Sequence, residues 1–145
     1  MTETQSPIAI LLVEDNEDDI LLMRRALSSK ASSQLRHVAR DGQAALDYLV
    51  GLSAGDLPEL VLLDLNLPRK NGLEVLAEIR ALPRLRRLAV VVLSSSERRE
   101  DIDATYDRGG NSFLTKPVEF RAFTELVAKI DRYWSSNRFS AAEPA

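Results

Sequence analysis

Short unbroken apolar runs recur along the chain, each followed by a stretch whose apolar positions fall three and four apart. The first run, IAILLV at 8–13, holds no polar residue, as expected of a strand covered on both faces. Behind it, EDNEDDILLMRRALSS places Ile20, Met23 and Leu27 on one helical face. Asn16 and the acids lie at its front and Arg24 and Arg25 further on, the charge order a helix dipole favours. LRHVA at 35–39 alternates as a strand does, and Asp41 is placed to cap GQAALDYLVGL, striped by Ala45, Leu46 and Leu49. After the loop SAGDLPE, the spacing predicts a third strand at 60–63 and a third helix marked by Val75, Leu76 and Ile79, closing near Pro83. LAVVVL at 88–93 reads as a fourth buried strand running into SSS, where Ser95 or Ser96 is the expected cap of the helix ERREDIDATYDR. Gly109 and Gly110 stop that helix, SFLT at 112–115 makes a fifth strand, and Phe123, Leu126, Val127, Ile130 and Trp134 stripe a last helix.

Strand and helix alternate five times, which predicts an α/β protein with a five-stranded parallel sheet and five helices on its two faces. A chain of 145 residues suits one such domain, expected over 7–136, with 1–6 and 137–145 as flexible or partner-contacting termini. The formal net charge of −3 sets up no field that would draw nucleic acid, so no nucleic-acid partner is expected. Cysteine is absent, which excludes disulfides, thiolate catalysis and sulfur-built zinc sites. The opening MTETQSPIAILLVED lacks a basic n-region, and its apolar run is too short for a signal peptide or a membrane span. The expectation is a cytoplasmic chain without a membrane partner.

In open parallel sheets the working site lies beyond the carboxyl ends of the strands. Strand one ends in Glu14 and Asp15, strand three in Asp64, strand four in Ser94 and Ser95, and strand five in Lys116. Converging carboxylates repel one another, and the relief is a proton or a bound cation. Ligands made only of oxygen point to a hard ion, Mg²⁺ first in a cell. A metal beside an ammonium and a hydroxyl suits a phosphoryl group, with Asp64 as the nucleophile that would become an aspartyl phosphate. The stretch LVLLDLNLPRKNG thus reads as a rigid strand presenting one reactive oxygen before a turn.

LLVEDNEDD, LLDLNLPRKNG, VVLSSS and FLTKP, in this order and spacing, resemble the signatures of two-component response-regulator receiver domains over about residues 7 to 135. The resemblance implies a CheY-like, flavodoxin-like doubly wound fold with strand order 2-1-3-4-5. It implies that Asp64 accepts a phosphoryl group from a sensor histidine kinase, with Asp15 a direct Mg²⁺ ligand and Glu14 acting through water. Asn66 would offer its backbone carbonyl to the metal, Lys116 would bond the phosphoryl oxygens, and Ser94 and Phe113 would be the switch hydroxyl and switch aromatic. A cis Lys116–Pro117 bond is implied too. The chain departs from the commonest pattern at Glu14 (usually Asp), Ser94 (usually Thr) and Phe113 (usually Tyr); the last lacks a hydroxyl for the output face.

Asp18 and Asp19 read as acids of a solvated first turn, and His37, the single histidine, as a structural residue of strand two without phosphohistidine context. Tyr133 and Phe139 are aromatics on or past the last helix, so Ile130, Tyr133, Trp134 and Phe139 form a candidate dimer face. The chain also resembles the single-domain receivers paired with bacterial phytochromes, which implies a phytochrome kinase as partner and a homodimer. With no output segment in the sequence, signalling is expected to pass through a partner protein. Such a chain is not an enzyme beyond catalysing its own phosphorylation and dephosphorylation. Alternatives are a phosphorelay intermediate, a phosphorylation-independent scaffold and an Asp-nucleophile phosphohydrolase; the last would want a second Asp where Asn66 stands.

Overall fold

The computed structural model describes residues 6–140. Five strands, β1 (Ile8–Val13), β2 (Ser33–Ala39), β3 (Leu60–Leu63), β4 (Ala89–Ser94) and β5 (Ser112–Thr115), form one sheet in the order β2-β1-β3-β4-β5. Every neighbouring pair is parallel. Between and after them run α1 (Glu17–Ser28), α2 (Gly42–Gly51), α3 (Gly72–Ala81), α4 (Arg99–Asp107) and α5 (Phe120–Ser136). This is the expected doubly wound, CheY-like architecture.

The unbroken apolar runs are explained by what covers the sheet. Side chains alternate across a strand, so Leu11, Val13, Val61 and Leu63 pack with α2 and α3 on one face. Ile10, Leu12, Leu60 and Leu62 pack with α1 and α5 on the other. All the residues of β1, β3 and β4 are buried. Helix α5 gives Phe123, Val127, Ile130 and Trp134 to this second layer, at the spacing read from the sequence. α4 is different: Thr105 alone is buried in it.

Local capping follows the expected chemistry at three starts. Asn16 accepts from the Asp19 amide, Asp41 from the Ala44 amide, and Asn71 forms a reciprocal capping box with Glu74. The start of α4 corrects the sequence reading. Its cap is Arg98 without a side-chain bond, because Ser96 is drawn into its own contacts, donating to Asp101 Oδ2 at 2.5 Å and accepting from the Arg98 amide at 3.2 Å. Strand β2 begins two residues earlier than alternation indicated, since Ser33 pairs with Ile8 and its hydroxyl is buried against Asp131.

The C-terminal segment is also tied down further than expected. Phe139, in the segment read as a flexible or partner-contacting terminus, stacks on Trp134 with ring centroids 6.1 Å apart and packs against the α1–α5 layer. Residues 1–5 and 141–145, read as flexible or partner-contacting, lie outside the described residues. Among the described residues no helix is long and apolar enough to cross a membrane.

Candidate functional site

The site forms where β1, β3 and β5 end, because parallel strands in register deliver the residues after them to one edge. Val13 pairs with Leu63 and Ser94 with Thr115, so Glu14, Asp64 and Lys116 emerge side by side. Hydrogen bonds from the Asp64 amide to Val13 O (3.0 Å) and from the Lys116 amide to Ser94 O (2.8 Å) extend the ladder by one residue. The turn after Asp64 is tight. A Cβ on Gly72 would stand 2.3 Å from Asp64 O, so only glycine lets the start of α3 lie against this backbone. Arg69 takes the left-handed conformation (φ 66°) that carries the chain round.

Lys116 is the centre of the charge arrangement. Its Nζ donates to Glu14 Oε1, to Asp19 Oδ2 at 2.9 Å and to Asp64 Oδ2 at 3.3 Å. The second oxygen of Glu14 turns back to accept the amides of Asp15 (3.1 Å) and Asn16 (3.3 Å). Asp64 Oδ1 accepts the Asn66 amide at 3.3 Å. Glu14 and Asp64 are buried, whereas Asp15 is exposed. Burial pushes the Glu14 carboxyl up to about 7, with Lys116 pulling it down and Asp64 pushing it further up. For Lys116, burial pulls the ammonium down, yet the hydrogen bonds to Glu14 and Asp19 and the charge of Asp64 outweigh it and hold the group above its ordinary range.

Carboxylate oxygens of Glu14, Asp15 and Asp64 lie within 4.8 Å of one another, near enough to share one ion. All three donors are hard oxygens, and the raised Glu14 carboxyl marks a place where a cation would be welcome. The residues therefore fit a divalent ion of the Mg²⁺ or Mn²⁺ kind.

The remaining sequence candidates fall into place unevenly. Ser94 is fully buried, and its Oγ accepts the Ser96 amide at 3.2 Å. Phe113 packs its ring against the α2–α3 layer, and its outward-facing amide donates to the hydroxyl of Tyr106 on α4 at 3.2 Å. This contact between α4 and the backbone of β5 was not read from the sequence. Lys116–Pro117 is not cis, against expectation: no cis peptide occurs among the described residues, and trans is the intrinsic preference of an X–Pro amide by about 0.5–1 kcal/mol. Ile130 and Trp134, offered as part of a dimer face, are buried in the core, Phe139 is half-buried against Trp134, and Tyr133 alone of the four is well exposed, at 64%. His37 stacks flat on Tyr48 with centroids 4.0 Å apart, a structural role as read.

Asp19 lies on the first turn of α1 and outside the acids able to share an ion, as expected, but it is partly buried and faces Lys116, whereas Asp18 is exposed. The signal was present in Asn16: once that residue caps α1, Asp19 is the third residue of the helix, at the end adjoining the site.

Comparison with known proteins settles the family. A model described as the response regulator receiver domain matches residues 10–129. The chain belongs to this family. It is 42% identical over 134 residues to the "Probable methanogenesis regulatory protein FilR2" of Methanothrix harundinacea, covering 91% of this chain and 86% of that protein. It is 38% identical over 135 residues to response regulator Rcp1 of Synechocystis, covering 91% and 92%. Among solved structures, the phosphorylated cyanobacterial phytochrome response regulator RcpA superposes with TM-score 0.83 at 41% identity, covering 90% of this chain and 95% of that one. The Mn²⁺-bound form of Rcp1 gives TM-score 0.81 at 38% identity, covering 93% and 100%. As a receiver domain the chain is a signalling module of two-component systems and not a conventional enzyme.

Proposed function

We propose that this receiver, over residues 7–136, is a stand-alone phosphorylation switch whose phosphoacceptor is Asp64. The observation that carries the reading is the meeting of Lys116 with Asp64 and Glu14 at one sheet edge, with Asp15 close enough to share an ion. An Asp64 oxygen attacks the phosphorus of a kinase phosphohistidine. The P–N bond breaks, its electron pair stays on the imidazole nitrogen, and that nitrogen takes a proton from solvent. Asp15, Asp64 and the Asn66 carbonyl, with Glu14 through water, would hold a Mg²⁺ ion, which would supply neutralising charge for the phosphoryl oxygens. Lys116 neutralises a further oxygen, and Ser94 turns its hydroxyl from the Ser96 amide to donate to the phosphoryl group. Movement of Ser94, with Phe113 beside it, then alters the surface of α4 and β5 that a partner reads.

The donor is a sensor histidine kinase, and the likeness to RcpA and Rcp1 supports one of the phytochrome type. Homodimerisation through the β5–α5 side is part of the same reading. A groove of about 230 Å³ lies there, lined by Leu114, Leu126, Tyr133 and Trp134 among others. Mass spectrometry after acetyl phosphate treatment tests the acceptor. One phosphoryl group is expected on the wild type with Mg²⁺ and none on Asp64→Asn; full labelling of Asp64→Asn would overturn the assignment. A monomeric mass by light scattering at micromolar concentration, with and without phosphorylation, would overturn the dimer.

A further inference from the structure

The ammonium of Lys116 has three protons and three carboxylate acceptors, Glu14, Asp19 and Asp64. Their situations differ once the site is at work. Asp64 gives up its contact when its oxygen is phosphorylated, and Glu14 and Asp64 both belong to the group of acids able to hold one ion. Asp19 stands outside that group, so it keeps its full charge for Lys116 when a cation is bound. It is also well anchored, being partly buried at 29% exposure on the first turn of α1, with its amide held by Asn16 Oδ1 at 3.0 Å. Asp18, its neighbour, is exposed and makes no such contact.

We propose that Asp19 is a positioning residue for phosphoryl transfer, seating the Lys116 ammonium so that its remaining proton is aimed at the incoming phosphoryl oxygen. The proposal rests on Asp64 being the phosphoacceptor. In the resting protein Lys116 is shared three ways. In the phosphorylated protein the phosphoryl oxygen takes the place of Asp64, while Asp19 and Glu14 remain as the seat. A flexible lysine without that seat would sample many rotamers and spend less time in the productive one.

Two measurements test this, with Asp18→Ala as the control for a lost acid on the same helix turn. The first is the rate of labelling by acetyl phosphate with saturating Mg²⁺. Asp19→Ala should be about tenfold slower than wild type, Asp18→Ala unchanged, and Asp19→Ala should have no further effect when added to Lys116→Ala. Equal slowing in the wild-type and Lys116→Ala backgrounds, or equal behaviour of the Asp18 and Asp19 variants, would overturn the proposal. The second is the ¹³Cε resonance of Lys116 in metal-free, unphosphorylated protein, assigned among the four lysines with Lys116→Arg. It should shift in Asp19→Ala and stay in place in Asp18→Ala; an unmoved resonance would overturn the contact itself. A wild type that takes no label would refute the phosphoacceptor reading instead, leaving the seat to be judged by the resonance alone.

Discussion

Glu14 makes the metal-free receiver sensitive to pH in a direction opposite to that of ordinary acid denaturation. Its carboxyl is raised from 4.5 to about 7, chiefly by burial. The fold therefore binds a proton that the unfolded chain has already released, and stability is lost as pH rises through about 7. Between about pH 5.5 and pH 8.5 Lys116, held above its ordinary range, stays charged. Across that window the linkage from an unfolded value of 4.5 to a folded value of about 7 amounts to about 2 kcal/mol. For a chain of this size that is roughly 4–8 °C in Tm. Urea or thermal unfolding with a chelator present should show this decline, and Glu14→Gln should flatten it. Saturating Mg²⁺ should abolish it as well, since the ion takes the proton's place, and Mg²⁺ affinity should rise with pH through the same range. Metal-free stability that stays level or climbs from pH 5.5 to 8.5, or a Glu14→Gln profile parallel to the wild type, would refute the reasoning.

Other outcomes follow from single contacts. Gly72→Ala would drive a Cβ into Asp64 O and should cost roughly 1–3 kcal/mol in chemical denaturation while slowing acetyl phosphate labelling, because the clash falls on the acceptor's own backbone. Asp131→Ala removes the acceptor for the hydroxyls of Ser32 and Ser33, the latter buried, and should destabilise by about 1–3 kcal/mol with labelling unchanged. Tyr106→Phe deletes the hydroxyl on the Phe113 amide, so hydrogen exchange at that edge of β5 should quicken while global stability moves by less than about 1.5 kcal/mol.

The period of the apolar pattern determined most of the architecture. Runs such as LVLL and AVVVL can be buried on both faces only in a sheet with helices on each side, so the layers and the strand ends were legible before any coordinates. The residues after those strands were legible as well, because parallel register leaves them nowhere else to go than one edge: Glu14, Asp15, Asp64, Ser94 and Lys116 all stand there. Capping at Asn16, Asp41 and Asn71 is chemistry between residues three apart and needs no tertiary knowledge.

Tertiary structure decided the contacts between segments distant in sequence. Asp18 and Asp19 both lie in the first turn that Asn16 caps, and the contact with Lys116, 97 residues on, separates the partly buried acid from the exposed one. Ser96 abandons the cap of α4 for Asp101, Tyr106 sets its hydroxyl against the Phe113 amide, and Trp134 belongs to the core where its spacing also allowed an exposed face. The physical reason is common to all of them. Backbone periodicity is a local property, whereas the partner a polar side chain finds depends on which segments the packed sheet brings together.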